Sequence, residues 1–337
     1  MAATPPGPDS AHRTDRAGAG PAAGDPVRTD PVRTEAVPTD LIVVGGGPAG
    51  CAAALTAGSV GMRSVLVEPA ALCGKLRHIP ALDNVAGGHR TGPDLAAAIT
   101  ADIARTPLCE VRLGVRATHI AAGQDDVTVT LDSGGRLTAP FVVVATGVGP
   151  LPPERAGWLT LAAGAEPPAL WGASAQAAAG PLLVLGADRP LGTFLRAHPE
   201  PATEVVVACP PEDDYKAEEV RGDPRVTVLP LARLRVTGYK ASGAVSAEWT
   251  DRTGRTGTLR AAAAYLNLGS APAAPPGALV SGADTYCPPA LQHPRVLVAG
   301  DLRSARFQRI MTATGSGAEA ALRAYYVAQG LSVPAAL

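Results

Sequence analysis

Three glycines and one acid carry the clearest chemistry in this chain. Residues Leu41–Cys51 read LIVVGGGPAGC, in which Gly45, Gly47 and Gly50 give the spacing G-x-G-x-x-G. The first glycine permits a tight turn, the second lets backbone approach a pyrophosphate, and the third lets helix and strand pack closely. Pro48 suits the first helical turn, where its missing N–H costs nothing, and Ala49 adds no bulk beside it. A helix opening there offers free N–H groups and a dipole to phosphate. A second apolar run, SVLV at Ser64–Val67, ends at Glu68, 18 residues past Gly50. That is close to the roughly 20 expected for an acid that binds a ribose hydroxyl pair. The pattern points to a bound dinucleotide.

The other reactive residues are scattered. The five cysteines are Cys51, Cys73, Cys109, Cys209 and Cys287, with no C-x-x-C among them. Zinc knuckles and a local redox pair are thereby excluded by spacing, and reduced thiols in the cytoplasm are the simpler expectation. The histidines show no metal-ligand spacing, so no metal is expected. Tyr286 and Cys287 either edge a substrate cavity or pack a loop.

The elements that must hold these residues alternate between strands and helices. Leu41–Val44 reads as a strand buried on both faces. A glycine turn, an alanine-rich helix and the strand ending at Glu68 follow. Residues Ala71–Gly88 read as a loop and Pro93–Ile103 as a helix. Val111–Arg116, Val127–Leu131 and Phe141–Ala145 read as strands, with a turn at Asp132–Gly135. A second unit of the same kind opens with the strand Pro181–Leu185 and Gly186, then a helix at Gly192–Ala197 and a strand at Glu204–Ala208. Strands at Val226–Leu229, Arg233–Val236, Ser246–Thr250 and Ala262–Leu268 complete it. The chain returns with Arg295–Ala299, Gly300-Asp301 and a helix from Gln308 to Gln329. The expected fold is α/β with two Rossmann-like, doubly wound, three-layer domains, one split by the other. Its segments are 1–38, 39–150, 151–269 and 270–337.

Composition excludes several functions. The chain has 337 residues, net charge −1, 18% charged and 4% aromatic residues. Nothing favours nucleic acid or a membrane surface, and no run of about 18 strongly apolar residues or signal-peptide stretch is present. Residues 1–38 are rich in Pro, Ala, Gly, Asp and Arg, with DPVRT in tandem at Asp25–Thr29 and Asp30–Thr34. Such a segment buries too little apolar surface to offset its ordering entropy and reads as a disordered tail.

In order, GGGPAG with Glu68, ATG at Ala145–Gly147 (Ala145, Thr146, Gly147), and AGD at Ala299–Asp301 before FQRIMTATGSGAEAAL resemble one family. It is the FAD-dependent pyridine nucleotide–disulfide oxidoreductases, most closely the low-molecular-weight thioredoxin reductases, over about residues 39–330. The resemblance implies FAD, with pyrophosphate on the first turn and adenosine ribose on Glu68. It implies that Gly300 and Asp301 meet the ribityl chain, and that the helix opening near Arg309 and Ile310 stabilises reduced flavin. Lys75 and Leu76 match a family loop, usually Gly-Gly-Gln-Leu, that runs along the cofactor. Asn84 matches an asparagine beside the flavin, and Ala117 falls where backbone meets adenine. Lys75 is otherwise a surface lysine, Asn84 a turn residue and Asp301 a cap. Family members are commonly homodimers.

Two departures redirect the expected function. Thioredoxin reductases carry Cys-x-x-Cys in the inserted domain, whereas Trp158–Gly180, including WGASAQAAAG at Trp171–Gly180, has no cysteine. Without a dithiol the usual exchange with thioredoxin cannot run. The second nucleotide turn places Asp188 where a glycine should admit pyrophosphate, and the next strand ends in Glu212-Asp213-Asp214 rather than arginines. A carboxylate there repels phosphate. The inserted domain therefore reads as degenerate for NAD(P)H.

What remains is a flavin site without a protein electron relay. The expectation is an oxidase-like enzyme of specialised metabolism that acts on a small molecule or modified peptide, with O2 as an acceptor. Alternatives are a dithiol oxidase that closes a disulfide in a natural product, a non-catalytic flavin-binding partner protein, and a reductase fed by ferredoxin or another flavoprotein. Cys73 replaces a family glycine in the flavin loop. It is a nucleophile if Lys75 or a helix N-terminus lowers its pKa, or else a small packed residue. His78 in that loop is a general base or a structural histidine. Arg303 and Arg306 face an acidic substrate or solvent.

Overall fold

The computed structural model describes residues 38–171, 173, 180–199, 204–240 and 244–333. The expected disordered tail, with its DPVRT repeat, lies outside the described residues apart from Pro38, as does most of WGASAQAAAG.

The first part of the chain builds β1 (Leu41–Val44), α1 (Pro48–Ser59), β2 (Ser64–Glu68), α2 (Gly92–Ala104) and β3 (Cys109–Leu113). It continues through β4 (Ala117–Ala122), β5 (Val127–Leu131), β6 (Arg136–Ala139), β7 (Phe141–Val144) and β8 (Val148–Pro150). Next come β9 (Leu159–Thr160), β10 (Leu182–Leu185), α3 (Pro190–Ala197), β11 (Val205–Cys209) and β12 (Val226–Pro230). Then follow β13 (Arg233–Tyr239), β14 (Val245–Thr250), β15 (Thr256–Ala261) and β16 (Ala263–Leu266). The return consists of β17 (Ser270–Pro272), β18 (Val296–Val298) and α4 (Ile310–Ala328).

The first sheet has the order β18-β7-β1-β2-β3 and every pairing in it is parallel. Its strands alternate between two buried faces, which is why they read as continuous apolar runs. Leu41, Val43, Leu66 and Val143 face α1, α2 and α4 through Ala53, Ala57, Ala96, Ala321 and Ala324. Ile42, Val44, Val65, Val67, Val142 and Val144 face Ile120, Val127 and Val129 of the antiparallel meander β4-β5-β6. The layers are thus helix, parallel sheet and meander.

The second parallel sheet has the order β12-β11-β10-β16, and β15-β14-β13-β9 packs near it. The chain leaves the first sheet along β8 and returns along β17, which pair antiparallel at Ser270↔Pro150 and Pro272↔Val148. This is the expected doubly wound α/β architecture with two Rossmann-like sheets.

Several local expectations shift. The strand read as Val111–Arg116 starts earlier and stops at Leu113, because Gly114 turns the chain at φ +73°. Strands β4, β6 and β15 have no counterpart in the sequence reading; they are short, with polar residues facing outward. The loop Ala71–Gly88 contains a 3-10 turn at Gly74–His78.

Candidate functional site

The first glycine turn is closed where it must be and open where a ligand would approach. Gly45 has φ +103°, and a Cβ on it would stand 2.6 Å from the Ala145 carbonyl oxygen. A Cβ on Gly50 would lie 1.8 Å from the Gly45 oxygen, whereas one on Gly47 would meet nothing within 4 Å. α1 opens at Pro48 with no side-chain cap and no acid in its first turn, so its N–H groups stay available to an anion. Glu68 Oε2 accepts the Gly46 N–H at 2.7 Å and Oε1 accepts the Ala70 N–H at 3.0 Å. Its remaining lone pairs can take ribose hydroxyls. Thr146 Oγ1 is buried with no hydrogen-bond partner, an orphan that a bound molecule would satisfy. These features fit a dinucleotide such as FAD.

The second wall comes from the end of the chain. Gly300 has φ +71° and donates its N–H to Ser316 Oγ at 2.8 Å, which sets Asp301 beside α1. Burial pushes the Asp301 carboxyl above the usual aspartate range, while Lys75 and then Arg309 draw it back. Lys75 exposes much of its stem, but its ammonium turns in to donate to the Val148 carbonyl. Lost hydration there lowers the Lys75 pKa, and Asp301 opposes the shift. Arg309 caps α4, its N–H donating to Thr312 Oγ1 at 3.1 Å, and Ile310 starts that helix half-buried. Gly45 thus abuts Ala145 and Thr146, Gly300 abuts Ala49, and Lys75 and Arg309 act on Asp301.

Other anticipated residues stand apart. Leu76 is 3% exposed in the helical-side core and anchors its loop instead of lining a cleft. Asn84 is exposed on the loop before α2, and Ala117 begins β4. His78 is exposed, its ring 6.5 Å from that of Trp171 in an edge contact. Cys287 is fully buried in the meander-side core. Sequence reading missed Gln308, whose side-chain amide donates to Ser304 O at 3.0 Å, to Asp301 O at 3.4 Å and to Tyr286 Oη at 3.4 Å. Tyr286 is buried, and burial raises its pKa. No motif would have joined these two, because 22 residues separate them.

Cys73 has an unforeseen neighbour. Its side chain is 1% exposed and lies in the same core cluster as that of Cys51, itself fully buried. Both residues also meet the Gly46 carbonyl, Cys73 through its N–H at 2.8 Å and Cys51 through Sγ at 3.4 Å. The Cys51 thiol lowers the Cys73 pKa, against the opposing effect of burial, and Cys51 is itself pushed up. Cys73 holds φ +53°, a conformation at home in the glycine it replaces.

The second glycine turn differs in charge and in its bonds. Helical backbone begins three residues past each first glycine, at Pro48 and at Arg189, but Asp188 stands where Gly47 stands in the first turn. Gly186 keeps φ +106°, with a Cβ position 2.2 Å from the Asn267 carbonyl oxygen. Asn267 Nδ2 donates to the carbonyls of Gly186 at 3.2 Å and Asp188 at 2.8 Å, which closes the turn on itself. Gly192 meets the Glu219 carboxylate, not the turn. Leu191 stands five residues past Gly186, where Gly50 stands five past Gly45.

Residues 39–165 match the family described as Pyridine nucleotide-disulphide oxidoreductase. The fold superposes on Lactococcus lactis thioredoxin reductase with TM-score 0.67 and 18% identity, covering 87% of this chain and all of that one. The likeness to thioredoxin reductases is one of fold. This thioredoxin reductase-like fold also superposes on the T. acidophilum thioredoxin reductase (TM-score 0.66, 18% identity, 86% of this chain and 98% of that one). The curated relatives match about a third of the chain. The F component of alkyl hydroperoxide reductase from Staphylococcus aureus is 30% identical over 111 residues, 33% of this chain and 22% of that protein. Ferredoxin–NADP reductase of Leuconostoc citreum is 31% identical over 121 residues, 34% of this chain and 35% of that protein. The chain thus spans well under half the length of the curated relatives it matches.

Proposed function

We propose that this thioredoxin reductase-like chain holds FAD non-covalently and exchanges electrons directly between it and a small molecule or modified peptide, in an oxidase-like cycle with O2 as acceptor. The observation that carries this reading is the contrast between the two turns. The first is tight, open at Gly47 and backed by the orphan Thr146 hydroxyl. The second is sealed by Asn267 and carries the Asp188 carboxylate in place of a glycine. FAD supplies a two-electron acceptor that a substrate can reduce and oxygen can restore. The chain's own part is to fix it. α1 and Glu68 hold its phosphate and ribose side. Asp301 accepts from hydroxyls while Lys75 and Arg309 balance its charge. With no C-x-x-C in the sequence, we assign no thioredoxin-reducing relay. A specialised metabolic role, a cytoplasmic location and a homodimer belong to the same reading.

The test is an anaerobic visible spectrum of the purified protein before and after NADPH and then NADH. A yellow protein that neither nucleotide bleaches is expected. Bleaching within seconds would return the chain to the pyridine-nucleotide reductases, and a colourless protein that takes up no FAD would remove the cofactor.

A further inference from the structure

We propose that Cys51 and Cys73 are an oxidisable thiol pair that closes to a disulfide, tying the first turn of α1 to the loop that carries Lys75. Neither needs a third residue. Both residues lie in one core cluster and converge on the carbonyl of Gly46, Cys73 through its N–H at 2.8 Å and Cys51 through Sγ at 3.4 Å. Both are free thiols. In sequence the pair is invisible, because 22 residues separate its members and no C-x-x-C is formed. Parallel pairing of β1 with β2 brings α1 and the residues after Glu68 to one edge of the glycine turn. Cys73 also carries a conformational penalty that a glycine would not, since a φ of +53° is disfavoured for a residue with a Cβ. A thiol kept at such a position beside a second thiol has more to explain than packing alone.

The oxidant is a peroxide. The Cys73 thiolate attacks one peroxide oxygen, the O–O bond breaks, and the departing hydroxide takes up the thiol proton, leaving a sulfenic acid and water. Cys51 sulfur then attacks the Cys73 sulfur, the S–O bond breaks, and hydroxide leaves as water with the Cys51 proton. Two thiols lose two electrons and one peroxide is reduced to two waters. The inference stands on the thiol geometry and does not depend on which substrate the flavin serves.

The purified full-length protein is treated with hydrogen peroxide, its remaining thiols are alkylated in denaturant, and the digest is read by mass spectrometry without reductant. Half-exposed Cys109 serves as the dose control. A peptide pair joined through Cys51 and Cys73, cleaved by dithiothreitol, is expected. Alkylated Cys51 and Cys73 in a sample whose Cys109 is oxidised would overturn the proposal, as would a link from either to Cys109. Because Cys51→Ala leaves a small cavity in the core, Cys73→Gly provides a second variant that suits the backbone. Peroxide should raise the melting temperature of the native chain by several degrees and leave Cys73→Gly unchanged. Equal shifts in both would also overturn it.

Discussion

Gly317 of α4 lies so close to Ala49 of α1 that a Cβ on it would stand 1.9 Å from the Ala49 carbonyl oxygen. This contact carries Asp301 to the glycine turn. Ser316, one residue earlier, receives the Gly300 N–H, and a Cβ on Gly300 would lie 3.0 Å from the Ala49 Cβ. Small side chains on both helices are what let the last part of the chain wall the site built by the first.

Two glycines of α4 should therefore answer oppositely to the same substitution. Gly317→Ala puts a methyl group into backbone and should cost about 1–3 kcal/mol, as overpacking does. A Cβ on Gly315 meets nothing within 4 Å. Gly315→Ala should gain about 0.5–1 kcal/mol from helix propensity and the unfolded chain. Urea unfolding of both variants measures the pair, and equal signs would contradict the close crossing.

Glu68→Gln keeps the shape but gives up the charge that accepts the Gly46 N–H. FAD affinity should fall about ten- to a hundredfold, the range of a lost charge-assisted hydrogen bond. A fluorescence titration of the apoprotein with FAD reads it, with far-UV circular dichroism checking that the turn still folds.

Asp301 is raised by burial, so its contribution to stability is full below the ordinary aspartate range and is lost as pH rises through its folded value. Asp301→Asn imitates the protonated acid. The FAD-free variant should melt above the FAD-free parent at neutral pH, and the gap should close below about pH 4. The same substitution should weaken FAD binding. Melting curves across about pH 3–8 test the first part; a gap that widens in acid would refute it.

Asp188→Gly removes the carboxylate from the second turn but leaves the Asn267 bonds in place. It should not create NADPH-driven bleaching of the flavin. Stopped-flow absorbance after mixing with NADPH decides this, and rapid bleaching would mean that charge alone closes the turn.

How much of this is legible in sequence depends on distance along the chain. The turn at Gly45–Gly50 and Glu68 are close in sequence and obey a fixed spacing, so strand, turn and acid are legible. Asp301 is legible through its three-residue motif. Asp188 is legible as a misfit, but the Asn267 bonds that seal its turn become visible only in the fold. Cys51 beside Cys73, and Gln308 beside Tyr286, depend on which elements pack together, which no local pattern encodes. The meander strands β4 and β6 escape for a different reason: exposed polar residues interrupt them, and pairing across the hairpins holds them.

The order of the first sheet also sets a timetable for synthesis. β7 is complete at Val144, but β18, which covers its outer edge, begins only at Val296. At ribosomal speeds of ~5–20 residues per second, that edge waits roughly 8–30 s for its partner. Throughout that interval its backbone donors and acceptors are a template for any other strand. High-level expression should therefore favour inclusion bodies, and slower translation or cooling should favour recovery of the folded chain.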